Sequence, residues 1–365
     1  MALKCGIVGL SMTGKTTLFN CISNTRAQVS AAAFSASKSN LGLVNVPDSR
    51  LKELERFQKT EKLVPASVEI VDIPGLAKSS GSGEQTANRF LADIRQTDAI
   101  IHVLRCFDNP LVPHIEGNVD PLRDKEIVDF ELQLKDLESI EKKLVKVERA
   151  AKSGDKEAKA AAEVLQKCKE HLEAFKPIRQ LELSREEHKA VEDLFLLTEK
   201  PVMYVCNVDE KSALNGNEWV EKVRPAIVAE GAELLIIAAA LESEIAELED
   251  EDDRTAFLAD TGLTEPGVHV LVRAAYRFLK LRTFFTVGPK EIRAWTIHEG
   301  MSAPQAAGVI HSDLERGFIR AEVMKYEDFT RLGSEARCKE AGKFFVEGKN
   351  YIVQDGDILH IRFNV

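Results

Sequence analysis

The chain has 365 residues, of which 44% are hydrophobic, with 49 Lys and Arg against 59 Asp and Glu and a formal net charge of −10. That apolar content supports a real core and excludes whole-chain disorder, and the length implies two or three domains. No run of about 18 uncharged apolar residues is present, which excludes a membrane-spanning helix, and the acidic balance argues against coating nucleic acid by bulk charge.

The first twenty residues, MALKCGIVGLSMTGKTTLFN, hold only a short apolar run that stops at a glycine-lysine turn, so no leader peptide is expected. An apolar, β-branched stretch over 3–10 predicts a strand, and a helix follows from Lys15 to about Ser23. SVEIVDI at 67–73 alternates and ends in Pro74-Gly75, a second strand. Further strands are expected at 99–105, 201–206 and 233–239, with helices at 84–96 and 217–230. Strands alternating with helices predict a doubly wound α/β sheet with parallel pairs.

Two segments break the alternation. From about Asp129 to Leu197 the chain is charged and nearly free of strand signals, and Leu132, Leu134, Leu137, Ile140, Leu144 and Val147 recur at helical spacing. A turn at Ser153-Gly154 and a helix over 156–174 complete an antiparallel helical hairpin whose Lys/Glu load is mostly a solvated face. From Leu281, strands at 281–287 and 291–297, a helix Ala303–Ile310 after Ser302, and the strand-like runs FIRAEVM, KNYIVQ and ILHIRFNV predict a small mixed domain with a curved sheet. Basic and acidic residues balance within 281–365, whereas the run Glu242 to Asp253 carries much of the negative charge. Arg293, Arg316, Arg320 and Lys325 either form a local basic patch or are scattered. Cys5, Cys21, Cys106, Cys168, Cys206 and Cys338 show no C-x-x-C spacing; buried reduced thiols are expected, and no zinc site.

Gly9-Leu10-Ser11-Met12-Thr13-Gly14-Lys15-Thr16 matches G-x-x-x-x-G-K-[ST] between a strand and a helix. Glycines at this spacing let backbone N–H groups of the loop, Met12 to Thr17, curl around a β-phosphate at a helix N-terminus. Lys15 then reaches the β- and γ-phosphates, and the Thr16 hydroxyl binds Mg²⁺. Asp72-Ile73-Pro74-Gly75 ends a strand; Asp72 there holds the Mg²⁺ through water, and the Gly75 N–H senses the γ-phosphate. Asn207-Val208-Asp209-Glu210 follows the strand PVMYVC, where guanine-selective proteins use Asn-Lys-x-Asp. Val208 replaces the Lys and Glu210 the Asp. A carboxylate one methylene longer cannot keep two hydrogen bonds to the guanine edge, so specificity should shift toward ATP. Read alone, N-V-D-E is also fairly read as a cap for the next helix.

Together with KCGIVGL, EIVDIPGL, FLADIRQTDAIIHVLRCF, EIRAWTIHEGMSAPQAAGVIHSDLERGFIRAEV and YIVQDGDILHIRFNV, these motifs resemble the YchF, or Obg-like ATPase, family of translation-factor-related P-loop proteins along essentially the whole chain. The resemblance implies an α/β P-loop NTPase of G-domain type at 1–128 plus 198–280. It further implies an inserted α-helical, coiled-coil hairpin at 129–197 and a C-terminal TGS domain of β-grasp type at 281–365. It implies Mg²⁺-dependent ATP binding and slow hydrolysis. Met12, Thr13, Gly14, Lys15, Thr16, Thr17, Gly75, Asn207, Val208 and Glu210 would hold the nucleotide, and Thr16 and Asp72 the metal. Partners would be the ribosome and, as a further option, RNA, with no membrane; a cytoplasmic monomer with a role in stress responses is expected.

The chain departs from the family pattern at two places. The family loop usually reads G-L-P-N-V-G-K-S-T; Ser11, Met12 and Thr13 stand at the variable positions, and Met12 offers only a thioether where Asn helps hold potassium. Switch I usually reads F-C-T-I-E-P-N, against Phe34 to Asn40 here, and Ala36 lacks the hydroxyl that would complete Mg²⁺ coordination. Leu76 stands where many GTPases place a water-orienting Gln. The resemblance then points to His114, in the loop Asp108 to His114, as the group that aligns the attacking water, with Lys15 as the other catalytic residue. The alternatives are a nucleotide-gated binding module with negligible hydrolysis, and a GTPase.

Overall fold

The computed structural model describes residues 3–23, 39–76 and 83–364. No helix among them is long and apolar enough to cross a membrane. The chain forms two compact units: Met1–Gly42 with Glu69–Leu271, and Leu43–Val68 with Val272–Val365.

One six-stranded sheet is ordered Asn40–Asn45, Ser67–Asp72, Lys4–Val8, Ala99–Cys106, Val202–Val208, Leu234–Ile237; its last four strands lie wholly in the first unit, and the first two are divided at Gly42 and Glu69. From Ser67–Asp72 to Leu234–Ile237 each neighbouring pair is parallel. Ala99–Cys106 and Val202–Val208 are buried at every residue, which is why they read as unbroken apolar runs. Parallel pairing brings the carboxyl ends of four strands to one edge. The loops after Val8, Asp72, Cys106 and Val208 therefore converge there, where open α/β sheets bind ligands.

The helical insertion starts earlier than its leucine repeat. Pro121–Lys152 begins after Asp120, whose carboxylate accepts the Arg123 N–H, with Pro121 in the first turn where its missing donor costs nothing. Lys156–Glu173, capped by Asp155, folds back on it. The predicted stripe divides: Ile140 and Leu144 pack with Leu165, Cys168 and Leu172, Leu132 joins the core of the sheet, and Leu134 is exposed. Buried Asp136 closes the insertion by accepting the Leu197 and Thr198 N–H groups and the Thr198 hydroxyl. Glu230 gathers Lys125, Arg179 and the Tyr204 hydroxyl at the same end.

The second unit has a mixed sheet ordered Phe345–Glu347, Phe318–Lys325, Asp357–Phe363, Leu281–Val287, Ile292–His298, Leu63–Val64. Ala303, Ala306 and Ala307 of the helix Ala303–Ile310 pack against Phe284, Ile297, Phe318, Val323 and Leu359. Two expectations are corrected here. Residues 43–68, expected with the nucleotide-binding part, belong to this unit. Leu63–Val64 pairs with Ile292 and Arg293, Arg50 bridges Asp48 and Asp355, and Phe57 packs edge-on against Phe329. KNYIVQ is not a strand. Its backbone is used by the approach to the helix, through Ala303 N–H to Tyr351 O and Val353 N–H to Met301 O. The four basic residues are each engaged locally. Arg293 stacks on Trp295 at 4.0 Å, Arg316 pairs with Asp313, Arg320 with Glu322, and Lys325 with buried Asp357.

Candidate functional site

Within the first unit the converging loops enclose a cavity of about 780 Å³, within the range of small-ligand sites. Met12 through Thr17 line one side, Asn207 through Lys211 with Ala239 and Ala240 another, and residues of 107–112 a third.

The first wall is held by close backbone approach. Gly14 has φ +92°, and a Cβ there would lie 2.2 Å from Asn207 Nδ2. Gly75 has no room for a side chain either: a Cβ would come within 2.7 Å of Lys15 Nζ and 2.8 Å of the Ser11 amide nitrogen. Met12 adopts φ +66°, so a residue with a Cβ occupies a left-handed position in this loop. Lys15 is only 6% exposed, and its ammonium donates to Leu10 O at 2.6 Å. Burial pulls its pKa down to about 8, against the opposing pull of Asp72. An anion brought to this ammonium would restore its charge.

The Thr16 hydroxyl donates to Asp72 Oδ2 at 3.0 Å. The other oxygen, Asp72 Oδ1, is buried with no hydrogen-bond partner. Burial raises the Asp72 pKa, with Lys15, Thr16 and Asn40 opposing. A buried acceptor without a donor beside a threonine hydroxyl fits a hard cation. Among the described residues no group of three or more His, Cys, Asp or Glu is placed to hold a metal unaided, so a cation here would draw its remaining oxygens from phosphate and water.

Asn207 is a brace. Its Nδ2 donates to Thr13 O at 2.9 Å and its Oδ1 accepts the Ala239 N–H at 2.9 Å, joining both sides of the cavity. Val208 is buried. Asp209 accepts the Ser212 N–H and caps the short turn Glu210–Ser212, so the capping reading of N-V-D-E holds for that residue. Glu210, exposed, lines the cavity.

His114 is not brought to the cavity. Its side chain is 3% exposed; Nε2 lies 2.8 Å from Asp124 Oδ2, and Nδ1 accepts the Glu116 N–H at 3.0 Å. With Nδ1 accepting, the proton sits on Nε2 and points at Asp124, so neither nitrogen is free to accept from water in this conformation. Leu76 packs into the core of the sheet. Residues 34–38 of the expected switch I, Ala36 included, lie outside the described residues. The sequence reading missed the third wall, Phe107, Asp108, Asn109, Leu111 and Val112. Its signal was an apolar pair, Leu111-Val112, inside a polar, proline-flanked loop.

Residues 4–149 match a family model described as 50S ribosome-binding GTPase, and residues 281–364 match YchF-GTPase_C, described as Protein of unknown function (DUF933). The chain is 47% identical to the Ribosome-binding ATPase YchF of Bacillus subtilis and to that of Haemophilus influenzae, over 100% of this chain and of each relative. The solved structure of the Schizosaccharomyces pombe YchF GTPase, 33% identical, aligns over 99% of this chain and 98% of that chain with a TM-score of 0.88. Full-length identity at this level, on a P-loop sheet with the same added elements, means that the chain belongs to the YchF family.

Proposed function

We propose that this chain is a cytoplasmic, ribosome-associated ATPase of slow turnover that binds ATP with Mg²⁺ in the cavity of its first unit. The observation that carries this reading is the pair formed by buried Lys15 and the partnerless Asp72 Oδ1, a cation and an anion both lacking full compensation until a metal-phosphate group arrives. Lys15 and the loop amides from Met12 to Thr17 hold phosphate, Gly75 senses its γ end, and Thr16 and Asp72 hold Mg²⁺. Bound there, the metal neutralises charge on the phosphate oxygens. Asn207 keeps the phosphate loop and the Ala239 turn in register. Val208 and Glu210 line the base end; Asp209 caps the Ser212 N–H through Oδ1 and stands one position before the motif's terminal carboxylate, Glu210, which is the group offered to a base edge. His114 aligns water only after leaving Asp124.

The names of the bacterial relatives support ATP hydrolysis and ribosome binding. A GTPase reading is kept because the fission-yeast relative is called one. Titration of ATP and GTP with Mg²⁺ tests the choice: tighter ATP is expected, and tighter GTP overturns the reading of Glu210. Co-sedimentation with ribosomes in the presence of ATP tests the partner, and absence from the ribosomal pellet with every nucleotide overturns it.

A further inference from the structure

Arg105 is the charged residue of a strand in which every residue is buried, and it is itself 1% exposed. A guanidinium in such a place is costly unless its donors are used. Two of its three nitrogens are used, Nε donating to Phe107 O at 3.2 Å and Nη2 to Val112 O at 2.8 Å, with the Phe107 ring centre 4.6 Å away, while Nη1 is buried without a partner. The two carbonyls are the first and last of the segment 107–112. All of its residues except Pro110 line the cavity. Inside the clamp the turn is closed by Asn109, whose Oδ1 accepts the Leu111 N–H at 2.9 Å and whose carbonyl accepts the Val112 N–H at 3.0 Å. The result is a loop tied at both ends whose tip, Leu111, is 91% exposed at the cavity and contributes nothing to the core.

We propose that Arg105 is a positioning residue for nucleotide binding, which clamps both ends of the loop 107–112 so that Leu111 and Phe107 present an apolar wall to the nucleoside. This rests on the reading of the cavity as a nucleotide site. The phosphate cradle is built by other residues, and an apolar wall has nothing to offer a triphosphate. Base and ribose are the parts of the ligand that gain from it. Lysine cannot replace the clamp, because one ammonium lacks the planar fork that spans two carbonyls.

The test uses the full chain and measures dissociation constants for ATP and ADP well below the melting temperature of each variant. Arg105→Lys is expected to weaken ATP and ADP by the same factor, about tenfold, with KM rising by more than kcat falls. Leu111→Ala, which removes an exposed side chain and leaves folding intact, is expected to weaken both about fivefold. The double variant should be no weaker than Arg105→Lys alone within about twofold, because the clamp acts through the loop. Unchanged affinity in Leu111→Ala, or in a folded Arg105→Lys, overturns the role, as does a double variant in which the two losses multiply. A larger loss for ATP than for ADP also overturns it, since it would place the effect at the γ-phosphate. If the unaltered chain binds no nucleotide, the proposed function falls together with this inference; if it binds and the variants match it, only the inference falls.

Discussion

The P-loop and the segment 107–118 flank one cavity but are built on opposite plans. In the P-loop the functional groups already face the ligand: Gly14 and Gly75 permit the close approach, Lys15 is buried at the front of the helix, and Asp72 keeps one oxygen unpaired. In 107–118 the expected catalytic group is tied up elsewhere, with His114 held between Asp124 and the Glu116 N–H. Binding is therefore preorganised and water alignment is not. Under the role proposed for His114, such a site would take up nucleotide without rearrangement and hydrolyse it slowly, because the ring would first have to exchange its buried hydrogen bond to Asp124 for one to water.

The sharpest break of that contrast is at Gly14. Gly14→Ala puts a Cβ into Asn207 Nδ2 at φ +92° and strikes the brace between both walls. Loss of stability of about 2–4 kcal/mol is expected in thermal unfolding, with ATP affinity down at least about a hundredfold. Retained ATP affinity would mean that the P-loop is not preorganised.

Next in size is a pH effect on Lys15, and it carries two signs. The folded-state pKa of about 8 lies below the ordinary lysine value of 10.5 because burial disfavours the charged form. Below about pH 8 the ammonium is charged in both states and the burial penalty is fully present. Between about 8 and 10.5 the unfolded chain holds the extra proton, so stability of the free protein rises with pH. Nucleotide binding needs the charged form and runs the other way. From pH 7.5 to 9 ATP affinity should fall about eightfold, with proton uptake on binding detectable by calorimetry in buffers of different ionisation enthalpy. A flat profile would remove Lys15 from the phosphate site.

These features differ in how far the sequence discloses them. Glycine, lysine, threonine and aspartate at the P-loop act through neighbours a few residues away or through a fixed strand order, so spacing alone locates them. Arg105 is legible only as an oddity, one arginine inside AIIHVLRC, because its role depends on two backbone carbonyls that no side-chain pattern encodes. The His114–Asp124 contact joins a loop to the first turn of a helix that begins before its leucine repeat, and neither residue announces the other. The transfer of residues 43–68 to the second unit rests on a two-residue parallel pairing with Ile292 and Arg293 and on Arg50 reaching Asp355, contacts whose partners lie hundreds of residues away. KNYIVQ has the composition of a strand, but its amides and carbonyls serve a helix approach, and composition does not say where backbone groups find partners.

The histidine side of the comparison is sharpened by Asp124→Asn. The amide can still accept from Arg123, but its other end donates and meets the Nε2 proton of His114 head-on. Release of the ring should raise single-turnover hydrolysis about threefold, while ATP affinity stays within about twofold. The same substitution made on His114→Ala should have no effect on turnover. A fall in turnover in the first case would show that Asp124 orients the histidine during the reaction instead of withholding it.

The smallest expected effect concerns Asp209, next to Glu210. Its carboxylate is committed to the Ser212 N–H, so Asp209→Ala removes a cap worth about 1 kcal/mol and little else. ATP affinity should change by less than about twofold, since the turn beside the cavity frays without losing a ligand contact. The ratio of ATP to GTP affinity should not move at all, because a capping residue touches neither base. Glu210→Ala provides the contrast: its carboxylate is the one at the base end with no structural bond to keep, so its loss should narrow that ratio while leaving the melting temperature in place. If instead Asp209 governs the ratio and Glu210 the stability, the assignment of cap and reader is reversed, and with it the basis for preferring adenine.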